Sequence, residues 1–92
     1  MGLTMYLFQA SFADAEGRYR GHDFNTAEEA ATAVETAGDG SVVKFKKEKN
    51  MPGCLPEYRL FSLCLWTFEN GKWDAKGIHG PSAFSMGEER PQ

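Results

Sequence analysis

A chain of 92 residues with 41% hydrophobic and 25% charged side chains describes one small globular domain and excludes a disordered one. The formal charge of −3 argues against a general binder of nucleic acid or of membrane surfaces, which normally carries a cationic excess. Two cysteines without a CxxC pattern and two histidines without HxxxH exclude a disulfide framework and a zinc-finger site; free thiols point to a cytoplasmic chain.

The first residues, MGLTMYLFQASF, have neither a basic start nor a long apolar core, so no signal peptide and no membrane span is expected. Gly2 does not begin a myristoylation motif, because Tyr6 stands where Ser or Thr is required. Met5 to Phe12 alternates with period two: Tyr6, Phe8, Ala10 and Phe12 share one face, and Met5, Leu7, Gln9 and Ser11 the other. ADAEGR supplies turn residues, and a second strand runs from Tyr19 to about Phe24, where Gly21 marks an expected bulge.

NTAEEAATAVETAG is the clearest helix signal. Thr26 and Glu29 fit a capping box, the hydroxyl accepting from the N3 amide and the carboxylate reaching back to the cap amide. Ala27, Ala30, Ala31, Val34 and Ala37 recur at helical spacing, and Gly38 ends the element. An alanine stripe lets the helix approach a sheet closely but adds little buried area, so the sheet must supply the bulk.

Ser41 to Glu48 reads as a third strand, with Val43 and Phe45 facing one way and Val42, Lys44 and Lys46 the other. A proline loop follows, then a long apolar strand from Tyr58 to Phe68. Phe61, Leu63 and Leu65 are expected on one of its faces, and Leu60, Cys64, Trp66 and Phe68 on the other. Asn70-Gly71 predicts a type I′ hairpin that sets Glu69 against Lys72 and Phe68 against Trp73, with a fifth strand to about Ile78. The order is ββαβββ: an α+β domain over residues 1–78, a small antiparallel sheet with one Ala-rich helix on one face. Residues 79–92 carry many breakers and read as a mobile or loosely packed tail, held by Phe84 and Met86.

Chemistry is sparse. Cys54 sits between two prolines, with no helix N-terminus and no histidine placed beside it, so it reads as a loop residue and not a nucleophile. Cys64 reads as a small core residue. The carboxylates are explained by turns and caps, His22 by an exposed strand, and no phosphate-binding glycine pattern occurs. The expectation is a protein that is not an enzyme and needs no cofactor or metal.

Two surfaces remain. Lys44, Lys46, Lys47 and Lys49, with Arg18 and Arg20, would form a positive strip for nucleic acid if their faces coincide. Lysines on an edge or solvated strand also deter aggregation. The second surface is apolar. A strand hydrophobic on both faces needs cover on both, and one small helix covers one. Trp66, Trp73, Met51, Leu55, Phe84 and Met86 are therefore the expected protein interface. The partner is another protein, either a host target or a second copy of this chain; nucleic acid is the alternative, as is a purely structural assembly role. Compact acidic domains of this size and architecture recur among phage and mobile-element proteins that inhibit host defence enzymes, an analogy of form that names no target.

Overall fold

The computed structural model describes residues 5–77, 85–87 and 90–92. The elements in chain order are β1 (Met5–Ala13), β2 (Tyr19–Phe24), α1 (Ala27–Ala37), β3 (Gly40–Lys49), β4 (Tyr58–Glu69), β5 (Lys72–Gly77) and a short β6 (Ser85–Gly87). The strands form one antiparallel sheet in the order β2-β1-β3-β4-β5, with β6 added beside β5, and α1 packs on one face against β1, β3 and β2. The α+β class read from the sequence is therefore the observed one. Only β6 was not anticipated, since three residues show no period.

The helix begins as its sequence dictates. Thr26 is extended, and its hydroxyl accepts from the Glu29 amide at 3.2 Å. The second half of the box differs from expectation: the Glu29 carboxylate accepts from the Thr26 hydroxyl at 2.9 Å. At the other end the Gly38 amide donates to the Val34 carbonyl. The chain then enters β3 through Gly40, at φ 153°, where any Cβ would run into the Ser11 carbonyl oxygen. That close approach lets α1 return directly to the strand beside β1.

Register explains the core. Ala10 lies opposite Val42, Val42 opposite Trp66, and Trp66 opposite Ala75, so one row crosses four strands. These residues, with Phe8, Cys64 and Trp73, meet Ala30, Ala31 and Val34 of α1 in a single buried cluster. Alanine on the helix and tryptophan on the sheet are complementary in volume, as close packing requires. The Asn70-Gly71 turn has the positive φ angles expected of it, 53° and 75°, and sets Phe68 against Trp73 with ring centroids 4.8 Å apart.

Two expectations about alternation need correction. The β1–β2 ladder runs through Gly21 opposite Ser11 without a bulge. The irregularity lies between β3 and β4 instead: Lys44 pairs with Cys64 but Phe45 pairs with Ser62, which leaves Leu63 as an extra residue. Past that point the alternation of β4 is reset. Phe61, opposite Lys46, shares the helix side with Trp66, while Leu60, opposite Lys47, shares the other side with Leu65. Sequence alternation had each of them on the opposite face.

A candidate protein-binding surface

The helix is too short for its sheet. Eleven residues of helix span about 16 Å, whereas a twelve-residue strand such as β4 spans about 40 Å. The buried cluster lies under α1, and the far half of the β3–β4 hairpin extends beyond it with the proline loop at its tip. Most of the exposed large apolar side chains gather at that end: Met5, Tyr6, Met51, Leu55, Tyr58, Leu60 and Phe61, with Leu55 at 92% exposure and Leu60 at 52%. Among the described residues only Tyr19 lies elsewhere.

The face opposite α1 continues this surface. By register it carries Leu7, Val43, Phe45 and Leu65 in its middle, each half-buried, and Met5 and Leu60 toward the tip. Among the described residues no helix lies on that side. A shallow depression of about 370 Å³ opens on the helix side of the hairpin, lined by Lys46, Glu48, Phe61 and Leu63.

Cations interleave with the rings. Lys44 lies over Tyr6 at 4.6 Å, Lys47 over Tyr58 at 4.5 Å and Arg59 over Phe61 at 5.3 Å. Lys46 pairs with Glu48 at 2.6 Å; that shared hydrogen bond raises the lysine pKa and lowers the carboxyl's. At the tip, Asn50 holds the loop closed through its Nδ2 donation to the Pro56 carbonyl, and the Cys54 amide donates to the Met51 carbonyl. Met51 and Leu55 are thereby presented outward on a loop tied at its base.

The other residues singled out from the sequence are distributed differently. Trp66 and Trp73 are 4% and 7% exposed, in the core beneath α1, so neither offers an exposed anchor. The Trp73 indole donates to Glu35 at 2.8 Å, while the Trp66 indole N–H has no partner among the described residues. Phe84 and His79 lie outside the described residues, as does the side chain of Met86. Arg18 and Arg20 do not join the lysines. Arg20 is opposite Phe12 and the nearest of the four lysines, Lys44, is opposite Phe8, four residues apart along β1 or about 13 Å. The lysines themselves divide between the two faces, Lys44 and Lys46 on the helix side and Lys47 and Lys49 on the other. Both arginines sit beside carboxylates of the β1–β2 turn, Arg20 at 3.2 Å from Asp14 and Arg18 at 3.8 Å from Glu16. The continuous positive strip does not form.

Cys54 is exposed and Cys64 buried, as their loop and strand positions implied. His22 is exposed and stacks on Phe12 at 4.7 Å. No helix among the described residues is long and apolar enough to cross a membrane.

Sequence reasoning missed one cluster. Arg90 clasps α1: its guanidinium bonds both oxygens of Glu35 at 3.0 Å, donates to Thr32 at 3.2 Å and pairs with Glu28. Pro91 is buried beside it. Glu28, Thr32 and Glu35 follow one another at helical spacing, a polar stripe beside the alanine stripe, and that was the available signal. The clasp ties the chain end to the helix and, through Trp73, to β5.

Compared with protein families, with curated proteins and with solved structures, the chain matches none. The functional reading therefore stands on the geometry of the surface.

Proposed function

We propose that this chain is a non-catalytic protein-binding module that grips its partner with the far half of the β3–β4 hairpin and the adjoining uncovered sheet face. The observation that carries the reading is the gathering of exposed Met5, Met51, Leu55, Leu60 and Phe61 at the one end of the sheet that α1 does not reach. Large apolar side chains are costly to leave in water, and where they gather they mark interaction sites. The methionine and aromatic side chains of this surface are residue types enriched in interface cores, and the lysines around them suit the polar rim of such a patch.

The cations of the same hairpin favour a second reading, contact with nucleic acid. That reading is the weaker one. Single strands are held by bases stacked on open ring faces, and here Tyr6, Tyr58 and Phe61 each already have a cation over the ring.

Site-specific photo-crosslinking in the native cell tests the proposal. A photoreactive residue at Leu55 or Leu60 is expected to yield a protein adduct, and one at Lys72, at the opposite end, to yield none. Equal labelling from both ends, or adducts to nucleic acid alone, would refute it.

A further inference from the structure

We infer that the partner segment is an acidic, amphipathic polypeptide that lies along β3 and β4 on the face opposite α1. The inference rests on the protein-binding reading and adds the chemistry of the partner.

Charge is distributed unevenly along this molecule. From Lys44 to Arg59 five cations stand against two carboxylates, Glu48 and Glu57, although the whole chain carries −3. The rest of the protein is therefore strongly acidic, and the hairpin is its positive pole. Within the pole, Lys46 is already neutralised by Glu48. Lys47 and Lys49 have no carboxylate partner among the described residues.

Both of these lysines fall on the uncovered face. Met5, Lys47 and Leu60 form one row across three strands, and Lys49 stands opposite Tyr58 in the next row on the same side. Lys76, opposite Leu65, adds a third cation at the margin of that face. Toward the tip the apolar middle thus ends in Lys47 and Lys49, which lack a carboxylate partner among the described residues, whereas Lys76 at the margin stands two residues from Asp74 on the same side. A segment that sets apolar side chains on Val43 and Leu65 and carboxylates on Lys47 and Lys49 would satisfy both features. A cationic segment would meet like charge, and a neutral one would leave the lysines unmatched. Stacked bases fit poorly, because the middle of the face is mostly aliphatic and the Tyr58 ring lies under Lys47.

Fluorescence anisotropy with labelled synthetic helical peptides provides the test. One peptide is built of Leu and Glu, a second of Leu and Lys, a third of Leu and Gln, and a labelled oligothymidylate is included. The Leu/Glu peptide is expected to bind at least about tenfold tighter than the Leu/Lys peptide, as complementary charge requires. The Lys47→Glu, Lys49→Glu double variant is expected to lose that preference while its melting temperature stays unchanged. Equal binding of all three peptides would overturn the acidic preference and leave the protein-binding reading in place. Tightest binding of oligothymidylate would overturn both. Binding to none of the probes would overturn the inference alone, since crosslinking tests the parent reading separately. A dimer in sedimentation at the assay concentration, broken by Lys47→Glu, would also overturn it, with a second copy as the occupant.

Discussion

At Glu35 three parts of the molecule meet: α1, the Trp73 indole of β5, and Arg90. Hydrogen bonds from Arg90, then from Trp73, favour the ionised carboxylate and hold its pKa below the ordinary glutamate value. A carboxyl depressed on folding stabilises the protein above its unfolded pKa, and the contribution disappears as pH falls through the folded pKa. Replacing Glu35 with Gln should therefore cost stability at neutral pH, and the deficit should shrink as the solution is taken below about pH 4. Urea midpoints for the two proteins across that range are the measurement. Parallel curves would mean that the charge of Glu35 is not what holds the clasp. The polar stripe of Glu28, Thr32 and Glu35 marks only the helix side of this contact, because Arg90 lies 55 positions from Glu35. Periodicity reports which face a residue is on, and a single long-range ion pair leaves no period. The two cysteines were legible for the opposite reason: a loop between prolines and a position within an apolar strand each fix exposure locally.

Elements with strong local chemistry were readable, and those defined by pairing were not. The Thr26 cap, the Gly38 stop and the Asn70-Gly71 turn depend on a few adjacent residues, and each occurs where the sequence places it. Replacing Gly71 by Val should destabilise the domain by about 1 kcal/mol or more, because a β-branched residue resists the positive φ observed there. An unchanged chemical-denaturation midpoint would contradict the importance of that turn. The bulge at Leu63 is different in kind. It is a property of two strands fitted together, and no glycine or proline marks it, whereas Gly21 carried the expected signature and pairs regularly. Reading β4 as an unbroken alternation consequently exchanged the faces of Leu60 and Phe61. The error bears on function, since Leu60 belongs to the uncovered face and Phe61 to the helix side.

For the molecule as a whole, the excess of apolar side chains over available cover was evident from the sequence; where that excess would surface was not. The tryptophans were the natural anchors by residue type, but α1 sits over the end of the sheet that contains them, so they are spent on the core. The anchors left outside are those that the short helix cannot reach. Of the surface expected from sequence, Met51 and Leu55 are exposed at this end, Trp66 and Trp73 are buried, and Phe84 and the Met86 side chain lie outside the described residues. Met5, Leu60 and Phe61 join Met51 and Leu55. The basic residues divide in the same way: the lysines lie on the projecting hairpin, and Arg18 and Arg20 at the other end are paired with acids.

The central claim is that association runs through this projecting, uncovered surface and not through the helix or the opposite end. Leu60 is half-exposed and lies outside the buried cluster, so Leu60→Asp should leave the melting transition nearly unchanged. The decisive measurement is the affinity of this variant for the protein captured by crosslinking, compared with that of Lys72→Asp. The account predicts a loss of roughly 2 kcal/mol or more for Leu60→Asp, the scale of an interface hot spot, and no loss for Lys72→Asp. Full affinity in a folded Leu60→Asp protein would contradict it.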